Sequence, residues 1–350
     1  MDGILKAVRE KIEIEKQLQH QLETCSADIC AAMFEEFAPF PHNSNGQLCW
    51  PAHWDADVGD LRKHLLRFFE YDDCFSGCRA QRMWPLYLEA AFPFMRGMPL
   101  IDMLTSLVVR TWHHRSCGKA WLQSVEFFCG KANLSLAALE AGLKAAAMDK
   151  TLNPEHNVLE APGLRLALLL LTATVPGALE WLGSPCNSYV VLCRAQSLRS
   201  ADNMYLGDES KYFVLEGNCL SDISALLVLL GVMTLLRFGL EQPQNSVLPY
   251  SGCMAAVLRY VEAEQTLTYH YCFGGETLKP LQLWSCDPFI CALGRPKPSC
   301  CYHVGEEGGL VSRDNEGGFT GHKERLKESQ AYSKEFGRAI VRAFLSHQQQ

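Results

Sequence analysis

LLRFFEYDDCFSG, Leu65 to Gly77, runs from an apolar, aromatic stretch into two adjacent carboxylates. Carboxylates at a helix C-terminus face the negative end of the macrodipole. Asp72 and Asp73 fall one turn beyond Phe68 and Phe69 on the same surface. A divalent cation removes the conflict. Aspartates beside aromatic rings at the mouth of a helical cavity suit a cation that grips a diphosphate while the rings face an apolar tail.

Outward from this stretch the apolar residues keep a helical period. Ile4, Val8, Ile12, Leu18, Leu22, Ile29 and Met33 mark an amphipathic helix from Gly3 to about Phe37, which Pro39, Pro41 and the polar run His42 to Gln47 end. Helices are expected near Asp57 to Tyr71, Arg79 to Phe92, Pro99 to His113, Lys119 to Phe128 and Leu134 to Met148. They continue over Leu164 to Leu182 with a break at Pro176, then Tyr189 to Leu215, Ser221 to Leu240 and Cys253 to Tyr271. Strand-like alternation is nearly absent. The pattern predicts a single all-α domain over 1–350, with an N-terminal helix at 1–37, a helical core at 50–271, a loop-rich, Cys-containing segment at 272–321 and a terminal helix at 322–347.

With 350 residues, 48% of them hydrophobic and 20% charged, the chain can bury a sizeable core. A net charge of -7 argues against nucleic acid or anionic lipid as a partner. The start MDGILKAVREKIEIEK has no apolar signal segment, so the sixteen cysteines are expected as reduced thiols of a cytoplasmic protein. Leu164 to Val175 and Ile223 to Leu236 are shorter than the ~20 residues a membrane span needs, and no stable span is expected.

HWDADVGDLRKHLLRFFEYDDCF, His53 to Phe75, resembles the helix that carries the aspartate-rich motif of class I terpene synthases. YVVLCRAQSLRSADNMYLGDESKYF, Tyr189 to Phe213, is similar to that family's second metal-binding helix, with Asn203, Gly207 and Lys211 at i, i+4 and i+8. The resemblance implies an all-α, magnesium-dependent cyclase that ionises a linear prenyl diphosphate, farnesyl diphosphate by family frequency, to a sesquiterpene. It implies Mg²⁺ held by Asp72, Asp73 and Asn203, with Asp202, Asp208 or Glu209 supplying a further oxygen. Arg165, Arg199, Lys211 and Arg259 would meet the diphosphate, Arg259-Tyr260 matching a late Arg-Tyr pair. Phe68, Phe69, Tyr71, Trp84, Tyr205 and Trp284 would line the cavity and stabilise carbocations. The chain departs from the pattern at Ser76, Met204, Gly207 and Lys211, which leaves the metal count open.

Two other readings stand beside it. A non-enzymatic all-α assembly protein would pack its N-terminal helix on a partner, and the sequence also leaves room for a homodimer. A cysteine hydrolase would use Cys49, which precedes Trp50, with His270 or His303 downstream. Cys272, Cys286, Cys291, Cys300 and Cys301 lack the CxxC spacing of structural zinc. No GxSxG, HExxH, Walker or dinucleotide-binding pattern is present.

Overall fold

The run Lys119 to Phe128 forms a strand, β1 (Leu122–Phe127), buried at every position except Gln123. The structure is a computed structural model that describes residues 55–71, 79–275, 277–298, 311–313, 319–321 and 331–348. β1 is the first strand of a six-stranded mixed sheet, which overturns the all-α expectation. The other strands are β2 (Ala145–Met148), β3 (Thr174–Leu182), β4 (Arg237–Pro243), β5 (Glu264–Tyr269) and β6 (Pro280–Ser285). Their order is β2-β1-β3-β4-β6-β5. β1 to β4 are parallel, with Val125 opposite Ala146 and Glu180, and Trp181 opposite Gly239. β6 runs antiparallel to β4 and to β5. Two short strands, β7 (Val311–Arg313) and β8 (Phe319–Gly321), form a separate antiparallel pair.

Helices cover both faces. α1 (Asp55–Tyr71), α2 (Arg79–Ala91), α3 (Leu100–Ser116), α5 (Ala161–Thr172), α6 (Tyr212–Met233) and α7 (Gly252–Tyr260) share one core, with Leu65, Phe68, Trp84, Leu107, Leu168 and Leu227 inside it. α4 (Asn133–Glu140) and α8 (Lys334–Gln348) lie on the other face, where Leu134, Trp181, Phe289, Phe336 and Phe344 pack together. Within β3, Leu179 and Trp181 point to the α8 side while Leu182 joins the larger core, the period-2 alternation of a strand.

The strands read as helices because a parallel strand covered on both faces shows no polar alternation. Leu164 to Leu182 is one apolar run, yet α5 stops at Thr172 and β3 starts at Thr174. Pro176 falls where the register slips between the pairs Leu122–Thr174 and Ser124–Leu179, a bulge that tolerates a missing N–H. β2 is Ala-Ala-Ala-Met, whose local propensity is helical and whose strand state is imposed by burial between α4 and β1. α6 is long and apolar enough to cross a membrane, and 78% of its apolar window is buried inside the protein. The stretch Tyr189 to Leu206, expected as helix, is a loop with short 3₁₀ and one-turn segments. The segment 272–321 contributes β6 to the main sheet. Of the terminal helix expected at 322–347, the described part starts at Lys334. The N-terminal helix 1–37, Cys49, Asp72, Asp73, Ser76 and His303 lie outside the described residues.

Candidate functional site

The chain leaves β1 through α4 to β2 on one side, then crosses through α5 to β3 on the other. This reversal opens a crevice at the carboxyl ends of β1 and β3, the place where open α/β sheets bind ligands. A cavity of about 560 Å³ lies there. It takes its walls from the residues that follow β1, β2 and β3, from the end of β4, from the first turns of α6, and from Lys279 and Tyr332.

One half of the cavity is built on the β1–α4 turn. Phe128, Gly130 and Ala132 have φ of 57°, 55° and 52°. Glycine adopts this region freely, whereas a side chain costs roughly 1–2 kcal/mol, so the contacts around the turn hold Phe128 and Ala132 against that cost. The Gly130 N–H donates to Asp149 Oδ2 at 2.9 Å, nineteen residues on, at the end of β2. Asp149 Oδ1 accepts from the Thr151 N–H and hydroxyl, both at 2.7 Å. Beneath the turn, Glu126 is fully buried; its Oε2 accepts the N–H and hydroxyl of Ser135, each at 2.8 Å. Glu126 Oε1 has no hydrogen-bond partner among the described residues, and burial pushes the carboxyl up to about 7. His156 lines the same half, its imidazole held below its ordinary range by burial.

The other half is built where β3 and β4 end. Gly183 to Ser188 (GSPCNS) leaves β3 and brings Cys186 to the cavity wall. Burial pushes the Cys186 thiol up to about 11; the Lys279 charge pulls it back and Glu241 pushes it further. Glu241, near the end of β4, is buried, and its carboxyl is raised by burial against the opposing effects of Lys279 and the Tyr332 hydrogen bond. The Tyr332 hydroxyl donates to Glu241 Oε2 at 3.1 Å, while Oε1 has no partner among the described residues. Arg199, fully buried, fixes the loop behind Cys186: its Nε donates to Ser188 O at 3.0 Å and a terminal nitrogen to Ser188 Oγ at 2.7 Å. Its guanidinium also stacks on Tyr189 at 3.6 Å.

None of the described residues expected from the sequence to act lines this cavity. Phe68 is core, 4.8 Å from the Tyr260 ring, and Phe69 packs beside it. Tyr71 ends α1. Trp84 is buried with its Nε1 donating to Asp222 O at 2.9 Å. Arg165 donates to Ala91 O, and the Tyr260 hydroxyl to His64 O. Arg259 is exposed at the end of α7. Asn203 closes its own loop, accepting from Ser200 N–H at 3.0 Å and donating to Leu198 O at 2.8 Å; Asp202 lies in the same 3₁₀ turn. Asp208 accepts from Ser210 and pairs with Lys211 at 3.4 Å. Tyr205, Tyr250 and Trp284 form a string of rings away from the cavity, with Tyr250 to Trp284 at 5.9 Å. Among the described residues no group of three His, Cys, Asp or Glu converges as a metal site, and the described cysteines are free thiols, of which only Cys129 and Cys253 are buried.

The residues that do converge, Gly130, Asp149, Cys186, Glu241, Lys279 and Tyr332, are those the helical reading passed over. Their one sequence signature is a glycine turn followed nineteen residues later by an acid, and it becomes visible only when Leu122–Phe127 is a strand. No protein-family model and no curated protein matches the chain, so the function rests on the geometry of the site itself.

Proposed function

We propose that the chain is a methyltransferase that binds S-adenosylmethionine on the β1–α4 turn and methylates a ring carbon of a heteroaromatic acceptor, with Cys186 as nucleophile and Glu241 as acid. One observation carries the reading. Cys186 and the buried carboxyl of Glu241, with its unpartnered Oε1, share a single cavity with the Phe128–Lys131 turn and Asp149. The sheet order differs from the all-helical core that a terpene cyclase requires, and that reading loses its fold basis.

The turn suits a nucleoside better than a dinucleotide. A pyrophosphate needs a second glycine for close backbone approach and a third for tight helix packing, and these positions are Ala132 and Ser135. The acid at the end of β2 remains, and Asp149 can accept from ribose hydroxyls. S-adenosylmethionine, when bound, supplies an electrophilic methyl group on a sulfonium sulfur.

A half-buried cysteine and a buried carboxylic acid together fit an acceptor carbon that is not itself nucleophilic. Cys186 Sγ adds to the neighbouring ring carbon, and Glu241 gives its proton to the ring nitrogen that receives the electron pair. The adjacent carbon thereby becomes able to accept a methyl group. Loss of that carbon's proton to water then expels Sγ as the thiolate, and the ring nitrogen returns its proton to Glu241 as the ring is restored. The raised carboxyl of Glu241 keeps a proton available to give, and its neutral form also eases ionisation of Cys186. The net charge of -7 favours a small pyrimidine-like ring over a polynucleotide.

Calorimetric titration with S-adenosylmethionine tests the first half: binding is expected, weakened about tenfold or more in Asp149→Ala by loss of a charge-assisted hydrogen bond. Radiolabelled methyl transfer to pyrimidine nucleosides, with short single-stranded oligonucleotides in parallel, tests the second, and Cys186→Ser is expected to abolish it. Absence of binding by the folded wild type, or preference for NAD, would overturn the proposal.

A further inference from the structure

The segment that precedes α8 enters the site from far along the chain, since Tyr332 and Glu241 are 91 positions apart. Its tyrosine is fixed from several directions. Trp181 Nε1 donates to the Tyr332 hydroxyl at 3.2 Å, and Asn133 Nδ2, at the start of α4, donates to its carbonyl at 2.6 Å. The next residue, Ser333, donates its N–H to His270 Nε2 at 3.0 Å. The ring packs edge-on to Phe336 with centroids 5.4 Å apart. Gly183 makes the room: a Cβ there would meet the Tyr332 hydroxyl at 2.7 Å. With the Trp181 N–H supplying a donor, the hydroxyl hydrogen is free to go to Glu241 Oε2 at 3.1 Å.

We propose that Tyr332 is the positioning residue of this site, holding one oxygen of Glu241 and so fixing the other, which has no partner among the described residues, in the wall of the cavity. The role assigned to Glu241 rests on the methyltransferase reading; the coupling itself rests on the Tyr332–Glu241 hydrogen bond and on Glu241 and Cys186 lining one cavity, where the charge of one acts on the other. Glu241 is faced by Lys279 from the start of β6 and by Tyr332, with Cys186 beside it on the β3 loop and Glu126 on β1 behind the tyrosine. The Tyr332 hydrogen bond favours the ionised carboxylate, and the ionised carboxylate in turn disfavours the Cys186 thiolate.

Alkylation of Cys186 by iodoacetamide, followed peptide by peptide in the full chain across about pH 6–9, reads this coupling because the thiolate is the reacting form. Tyr332→Phe keeps the ring and backbone contacts, and its fold is checked by thermal melting. It is expected to leave Glu241 neutral to higher pH and to speed Cys186 alkylation roughly three- to tenfold at neutral pH, a tenfold change corresponding to one unit of thiol pKa. Glu241→Gln should speed it similarly, and the double variant no further. Gly183→Ala, which displaces the hydroxyl without altering Tyr332, serves as a second variant with the same expected acceleration. An unchanged rate in Tyr332→Phe and Gly183→Ala, or an effect of Tyr332→Phe that persists in full on top of Glu241→Gln, would overturn the proposal. Failure of the wild type to bind S-adenosylmethionine would sink the methyltransferase reading and leave this coupling standing, so the two are separable.

Discussion

Replacement of Glu126 by glutamine tests whether the acid under the β1–α4 turn is held neutral by burial. Glu126 is fully buried on a central strand, and its carboxyl is carried from an ordinary 4.5 to about 7 by desolvation, against the opposing hydrogen bonds from Ser135. A raised carboxyl binds its proton more tightly in the folded chain than in the unfolded one. Its contribution to stability is therefore full below 4.5, declines as the pH rises, and is lost above about 7. At roughly 1.36 kcal/mol per pH unit, that window corresponds to about 3 kcal/mol. Glutamine can still accept from Ser135 but does not titrate, and its amide group adds a pH-independent cost of about 1–3 kcal/mol where Oε1 has no partner. The readout is accordingly the change in the stability difference with pH, measured by urea unfolding of wild type and variant at matched pH values from 4.5 to 8. The variant should gain about 3 kcal/mol on the wild type over that range. Parallel pH curves for the two proteins would show that Glu126 is ionised or solvated, and would refute the reasoning.

Three further outcomes are expected. Gly231→Ala sets a Cβ at 1.8 Å from Glu180 Oε2, inside the fully buried contact between α6 and β3, and should cost about 1–3 kcal/mol in urea unfolding; no loss would mean that Glu180 points elsewhere. Arg199→Met strips donors from Ser188, Tyr205, Leu206, Val214 and Asn218 in one step and should cost at least about 3 kcal/mol by the same assay, as expected for a broken buried network. Lys279→Met removes the cation that pulls the Cys186 thiol down and should slow Cys186 alkylation about threefold or more at neutral pH.

The helices on the rim of the molecule were legible because their faces are unequal. Asp55–Tyr71 and Arg79–Ala91 each set charged residues against a buried stripe, and their expected bounds, like those of the more deeply buried Leu100–Ser116, hold to within a few positions. The central strands were not, since β1, β3 and β4 are covered on both faces and carry no alternation. That one misreading also hid the site. Cys186 follows a glycine, serine and proline in the gap between the helices expected over Leu164 to Leu182 and Tyr189 to Leu215, where they read as an ordinary connection and not as the end of a strand. Asp149 follows three alanines and a methionine that favour helix locally. Asp72 and Asp73 drew the chemistry toward α1, and that pair lies outside the described residues.

The two halves of the cavity differ in how far along the chain their parts are scattered. The turn, Asp149 and His156 to Val158 all come from one contiguous β-α-β stretch, residues 122–158. The acid half waits for β4, for Lys279 and finally for Tyr332. During synthesis at roughly 5–20 residues per second, the interval between Val158 and Tyr332 corresponds to about ten to thirty-five seconds. Local contacts close early and distant ones late, so the nascent chain is expected to own a nucleoside platform well before it owns an acid that is held in place. On the proposed reading, chemistry is withheld until Tyr332 has been made, and a bound nucleoside would act on the nascent chain as a folding template.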